Sequence, residues 1–403
     1  MAGSPSKVLV TFGTRPEAIK LAPLVKALAG HPRFDMEVCV TAQHRSMLDQ
    51  VLETFAITPR YDLDLMRPAQ TLPDITARMV TGVSGVVRDF KPDWVVVQGD
   101  TTTALAAGLA AFYEQASVAH VEAGLRTHEK YSPFPEEINR RLVSCVADLH
   151  FAPSKRAKDN LLRENCPESR VSVSGNTIVD ALLWVVDRLR CELPLKRALD
   201  DRFSFLDPTR RLILITGHRR ESFGRPFESM CHALVDIVAQ APDVEILYPV
   251  HLNPNVQAPV NAILGGAPAA LSRRIHMIAP VDYLTFVYLM NRAQIIITDS
   301  GGVQEEAPSL GKPVLVTREN TERPEAVEAG TARLTGTDRD RIFDEAMRLL
   351  TDDVHRRSMS FARNPYGDGQ ACARIVERLD AASGGPRALL EEFAGFTREL
   401  TPS

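Results

Sequence analysis

Short β-rich runs that stop at a turn residue and give way to helically spaced apolar residues recur along most of this chain. That alternation leaves few folds open. The run 8–12 (VLVTF) breaks at Gly13, after which Ile19, Leu21, Leu24, Val25 and Leu28 fall at helical spacing. The unit repeats: 34–40 precedes a helix near 46–55, 94–97 precedes a helix over 102–113, and 118–121 follows. Strands alternating with helices predict a parallel sheet covered on both faces.

A second series starts after the charged, Leu-rich segment 185–205, with strands at 212–216, 245–250, 275–278, 295–298 and 313–316. At 403 residues the chain exceeds what one core organises. The expectation is therefore α/β, two Rossmann-like doubly wound domains, with ligands in a cleft at the carboxyl ends of the strands. The boundaries fall at 1–174, 175–367 and 368–403. The last segment, expected to pack back on the first domain, holds a helical run over 372–379 and a tail that adds a short helix around 387–396 or frays. A net charge of -4 argues against a generic nucleic-acid binder. Six scattered cysteines with no paired spacing fit reduced thiols. The amino-terminal MAGSPSK lacks a signal pattern, and the most apolar run, 104–112, is too short to span a bilayer. A soluble cytoplasmic protein is expected.

The chemistry should sit in the strand-end loops. HVEAGLRT followed by YSPFPEEINRR brings Glu122, Arg126, Glu136 and Glu137 close together just after an apolar strand. Carboxylates there are costly unless they do chemistry. GTRPE puts Arg15 at a helix amino terminus, suited to an anion or to plain solvation. QGDTTT places Asp100 at another strand end, as a helix cap or as a catalytic group. TGHRRESFG offers His218, an anion donor or a packed loop histidine, with Arg219 and Arg220. His251 is too isolated to complete a metal set with it. In TDSGGVQEEAPSLGKPVLV, Gly301 and Gly302 would let phosphate oxygens reach backbone amides at a helix start. One of Glu305 and Glu306 would accept from ribose hydroxyls while the other complements the helix dipole. Arg323 suits a phosphate or Glu306.

Together GTRPEAIK, TAQHR, GDTTT, HVEAGLRT, PEEINR, SGNTIVDAL, TGHRRESFG, YPVHLNPN, DSGGVQEEAPSLGKP, ERPEAV and NPYGDGQA closely resemble the non-hydrolysing UDP-N-acetylglucosamine 2-epimerases, from about Lys7 to Leu379. The resemblance implies a GT-B arrangement, a homodimer, and interconversion of UDP-N-acetylglucosamine and UDP-N-acetylmannosamine for bacterial surface polysaccharides. It implies UDP-sugar binding by Arg15, Lys20, Phe286, Ser300, Gly301, Glu306 and Arg323, and catalysis by Asp100, Glu122, Glu136 and His218. No metal, redox cofactor, nucleic acid or membrane enters that chemistry. Some members carry a second UDP-sugar site, which here would draw on Gln43, His44, Gln70, Arg219 and His251. Ala69 stands where such a site has an Arg, which counts against activation by substrate. A GT-B glycosyltransferase or a nucleotide-sugar sensor would not need Asp100, Glu122 and Glu136 together. A hydrolysing epimerase is separated less well.

Overall fold

Every strand pairing in the computed structural model, which describes residues 4–41, 45–67, 69–385 and 391–393, is parallel. The described residues form two compact units, one from Met1–Ala181 and Tyr366–Gly395, the other from Leu182–Pro365. Among them no helix is long and apolar enough to cross a membrane.

The first unit holds a sheet of β1 (Ser6–Phe12), β2 (Phe34–Val40), β3 (Tyr61–Asp62), β4 (Trp94–Gln98), β5 (Ser117–Val121), β6 (Leu149–Ala152) and β7 (Val171–Val173). Their spatial order is β3-β2-β1-β4-β5-β6-β7. The chain winds outward from β1 in one direction, then returns to start β4 on its other side. That reversal opens a crevice beyond the carboxyl ends of β1 and β4, where ligands bind in doubly wound sheets. On one face Leu9, Val95 and Val97 pack against Val83, Val86 and Val87 of the helix Leu72–Phe90 and against Ala104, Ala107 and Ala111 of the helix Thr102–Tyr113. The small residues of the second helix let it lie close. The helix Arg15–Ala29 buries Leu21, Leu24 and Leu28, each contributing roughly 1.5–3 kcal/mol by leaving water.

The helix Ala371–Ala382, the last among the described residues, belongs to this first unit and packs on the helix Arg15–Ala29. Asp180 caps it, accepting from the Cys372 N–H at 2.8 Å and the Ala371 N–H at 3.3 Å. Asp380 pairs with Arg33, and the Trp94 indole donates to Ser383 Oγ at 3.0 Å. Of the tail, residues 391–393 lie along β7: Phe393 N–H donates to the Val173 carbonyl at 2.9 Å. They cover backbone that an edge strand otherwise exposes. The rest of the expected 387–396 helix lies outside the described residues.

The second unit repeats the design. Its strands β8 (Arg211–Thr216), β9 (Val244–Pro249), β10 (Ile275–Ile278), β11 (Ile295–Thr298), β12 (Val314–Val316) and β13 (Ala332–Leu334) lie in the order β10-β9-β8-β11-β12-β13. The switch here falls between β8 and β11. Ile213, Ile215, Ile246, Ile295 and Ile297 pack against Phe227, Leu234 and Ile237 of the helix Arg225–Gln240. Most of these strands are continuous apolar runs, as a sheet buried on both faces requires. Segment 185–205 resolves into the end of the helix Thr177–Cys191, the helix Leu193–Arg202 and a short connection.

Candidate functional site

In the first unit the loops after β1, β4 and β5 meet at the switch point. Gly13 ends β1 because a Cβ there would collide with the hydroxyls of Thr41 and Thr103. Arg15 begins the next helix, half-buried, with Thr14 as its cap and Glu17 completing the box. Glu17 does more than cap. Fully buried, it accepts from the Gly13 and Thr14 N–H groups at 3.1 and 2.7 Å and from the Thr101 hydroxyl of the β4 loop at 2.6 Å. Burial raises its pKa, against the pull of those donors. Thr101, not Asp100, caps the helix Thr102–Tyr113. Asp100 is thereby left to other work.

The Asp100 carboxylate pairs with Arg140, and Asn139 donates to the Asp100 carbonyl at 2.9 Å. Burial raises its pKa; Arg140 and Lys20 oppose this, and Glu122 adds to it. Glu122 pairs with Lys20 and accepts from Asn176 Nδ2 at 3.1 Å. Its backbone is left-handed, φ 62°, a conformation that costs a non-glycine residue roughly 1–3 kcal/mol and collects at functional sites. The two carboxylates are tied through backbone. His120, fully buried, holds the Gly99 carbonyl through Nε2 at 2.8 Å, while the Gly99 N–H donates to Val121 at 2.9 Å. Gly99, at φ 67°, makes the turn that this clasp needs. Burial pushes the His120 pKa down to about 3, so the ring is neutral.

The first two residues of the helix Glu136–Val146 differ in burial. Glu137 is fully buried and accepts from the Thr127 and His128 N–H groups at 3.0 and 3.2 Å, with Arg140 at 3.5 Å. It is a brace for the loop, whereas Glu136, next to it, is only partly buried. Arg126 also turns away from the carboxylates, gripping Glu164 at 2.8 and 2.7 Å and Ser144 at 3.0 Å.

In the second unit the loops after β8 and β11 meet in the same way. Asp299 Oδ2 accepts from the His218 and Arg219 N–H groups at 2.6 and 2.7 Å. The His218 ring stacks on His251, centroids 5.3 Å apart. Ser300 precedes the helix Gly301–Glu306, which is only six residues long. Glu305 and Glu306 therefore sit at its end, and neither complements an amino-terminal dipole, contrary to the sequence expectation. Glu306 accepts from the Tyr283 hydroxyl at 2.7 Å, and Arg323 pairs with Glu305. Thr321 Oγ1 accepts the Arg323 N–H at 3.0 Å and donates to Gln304 at 2.7 Å, fixing that loop. Phe286 lies partly buried on the helix Tyr283–Arg292, beside Thr285. Among the described residues no group of three His, Cys, Asp or Glu side chains could hold a metal ion.

Carboxylates with their own cations at one switch point, and a Gly-Gly turn with a buried Glu at another, are the parts a nucleotide-sugar enzyme needs. A family profile described as UDP-N-acetylglucosamine 2-epimerase matches residues 26–380. The chain belongs to the UDP-N-acetylglucosamine 2-epimerase family. Within it, the Escherichia coli K12 UDP-N-acetylglucosamine 2-epimerase is 58% identical over 373 residues, 93% of this chain and 98% of the relative. The Bacillus subtilis UDP-N-acetylglucosamine 2-epimerase is 50% identical over 96% of this chain and 99% of its own length. The crystal structure of the Neisseria meningitidis epimerase bound to UDP-GlcNAc superposes with a TM-score of 0.84, at 47% identity, covering 93% of this chain and 99% of that one. The family is one of isomerases, and the two parallel α/β units are those of its solved members.

Several members of the two loop sets were silent in the sequence. Glu17, Arg140, Asn176, Asp299 and Tyr283 each hold a predicted site residue or its loop, yet the sequence alone gives none of them a role. A carboxylate next to a strand-ending turn was the available signal for Glu17 and Asp299. Of the second-site residues, Gln43 and His44 lie outside the described residues. Gln70 accepts from the Arg67 N–H at 3.2 Å, and Ala69 has φ 56°.

Proposed function

We propose that the chain interconverts UDP-N-acetylglucosamine and UDP-N-acetylmannosamine by elimination and re-addition of UDP. The observation that carries this reading is the pair Asp100 and Glu122: two carboxylates at neighbouring strand ends, each with its own cation, Arg140 and Lys20.

The proton on sugar carbon 2 is not beside a carbonyl, so a carboxylate cannot remove it from the intact ground state. Loosening of the bond from carbon 1 to UDP builds positive charge at carbon 1 and acidifies that proton. A carboxylate then takes the proton as UDP leaves with the bonding pair, giving 2-acetamidoglucal. UDP adds back at carbon 1 while a proton arrives at the opposite face of carbon 2, inverting it. Asp100, Glu122 and Glu136 are assigned to this proton traffic. Ser300, Gly301, Glu306, Arg323 and Phe286 are assigned to UDP, with Arg15, Lys20 and His218 supporting the diphosphate as it leaves. The same reading makes the chain a cytoplasmic homodimer that supplies a precursor for bacterial surface polysaccharide. The bacterial origin of the curated relatives named above supports the polysaccharide role.

Incubation with UDP-N-acetylglucosamine in deuterated water tests the proposal. Both UDP-sugars should appear, labelled at carbon 2. Free N-acetylmannosamine as the main product would move the assignment to a hydrolysing epimerase, and unlabelled substrate alone would end it. Asp100→Asn or Glu122→Gln should lower turnover by orders of magnitude while UDP still binds.

A further inference from the structure

The carboxylate of Asp299 has more to do than hold a loop. Its Oδ2 takes both the His218 and Arg219 N–H groups, whereas Oδ1, buried, has no hydrogen-bond partner among the described residues and lies 3.4 Å from His218 Nδ1. A buried carboxylate oxygen facing an imidazole nitrogen favours a proton on that nitrogen. We propose that Asp299 is a positioning residue that holds one proton of His218 on Nδ1, so that Nε2 takes the second proton of the imidazolium and donates it to the diphosphate of the bound nucleotide. The inference rests on the UDP-sugar reading above.

The surroundings make such an orienting group necessary. The groups facing His218 are Asp299 at the end of β11, the stacked His251 from the loop after β9, and Arg219 on its own loop. Tyr248 of β9 lies near Asp299 and donates its hydroxyl to the Gly217 carbonyl at 2.8 Å; burial holds its pKa well above the usual value, so it stays neutral. Burial lowers the His218 pKa, Asp299 works against that, and His251 and Arg219 add to the lowering. Asp299 is thus the group in this set that favours the imidazolium. With Nδ1 holding one proton, His218 donates from Nε2 to the departing diphosphate only as the imidazolium, because the neutral ring offers a lone pair there.

Asp299→Asn separates this role from loop anchoring. The amide oxygen still accepts the two backbone N–H groups, but the amide nitrogen now faces Nδ1 and forces the proton to Nε2. Nitrogen-15 NMR of the wild-type histidines should show neutral His218 protonated on Nδ1; protonation on Nε2 overturns the proposal without any variant. UDP titration calorimetry from pH 5.5 to 8.5 supplies the second readout. Asp299→Asn should weaken UDP by about tenfold near pH 7, from the loss of one opposite charge, with the fall in affinity moved to lower pH. In a His218→Ala background the same change should cost less than about twofold. Equal weakening in both backgrounds, with an unshifted pH profile, would show Asp299 to be a loop anchor only. A wild-type chain that binds no UDP would instead sink the proposed function, and the NMR measurement would still decide the role of Asp299.

Discussion

Replacing His120 with Phe should destabilise the protein at pH 7.5 and leave it at least as stable as wild type at pH 5. His120 is fully buried, and its Nε2 is the donor to the Gly99 carbonyl at 2.8 Å, while Nδ1 has no partner among the described residues. A Phe ring fills a similar space but orphans that carbonyl, at a cost of about 1–3 kcal/mol. Relief of the unpartnered Nδ1 offsets part of this, leaving a loss of about 1–2 kcal/mol. The pH dependence follows from linkage. The His120 pKa is pushed down to about 3, so below the unfolded-state value the unfolded chain takes up a proton that the folded chain refuses. Stability from this group is present above about pH 6.5 and is lost as pH falls, by about 2 kcal/mol at pH 5. The Phe variant has no such loss, so its urea midpoint should fall below wild type at pH 7.5 and meet or pass it at pH 5. His150, whose pKa burial lowers to about 4, is common to both proteins. The clasp also sets Asp100, the residue after Gly99. Beside the Asp100–Arg140 pair two backbone anchors remain, Gly99 N–H to Val121 and Asn139 to the Asp100 carbonyl, both at 2.9 Å. A displacement of about 1 Å costs on the order of a hundredfold; with two of three anchors kept, kcat should fall by about tenfold and KM stay near wild type. Unchanged kcat alongside lost stability would refute the positioning argument, and parallel stability curves at the two pH values would refute the linkage.

Tyr283→Phe removes the hydroxyl that fixes Glu306 at 2.7 Å; UDP affinity measured by calorimetry should drop by about three- to tenfold, with the melting temperature little changed. Arg126→Met should cost about 3 kcal/mol in urea unfolding, because Glu164 and Ser144 lose a fully buried partner. Its kcat/KM, measured where the variant is folded, should stay within about twofold of wild type, since Arg126 faces away from the carboxylates.

The fold was legible where a β-rich run stood clear of its flanking helices and turns. The runs at 34–40, 275–278 and 295–298 coincide with β2, β10 and β11. Tyr61–Asp62, Val171–Val173 and Ala332–Leu334 escaped, being two or three residues long and at sheet edges. Leu149–Ala152 escaped because its four residues run on from a preceding helix and could equally begin another. The candidate site residues stood at strand ends, which a pattern of apolar runs exposes. Their partners did not. Arg126 and Glu164 are 38 positions apart, and Lys20 and Glu122 are 102 apart, so no local rule connects them. Glu136 and Glu137 are neighbours in sequence but turn about 100° apart on a helix, so one is buried and the other is not. Only packing decides which.

The helix Ala371–Ala382 carries a consequence for how the protein is made. Strand β7 closes the first sheet at Val173, yet the helix that Asp180 caps, and that meets Arg33 and Trp94, is nearly at the other end of the chain. At about 5–20 residues per second, a ribosome delivers it roughly 10–40 s after β7. Throughout that interval the first unit waits with one flank of its opening helix bare, while the whole second unit is synthesised in between. A nascent chain of this design needs its own final turns, or a chaperone standing in for them, before its first half is finished.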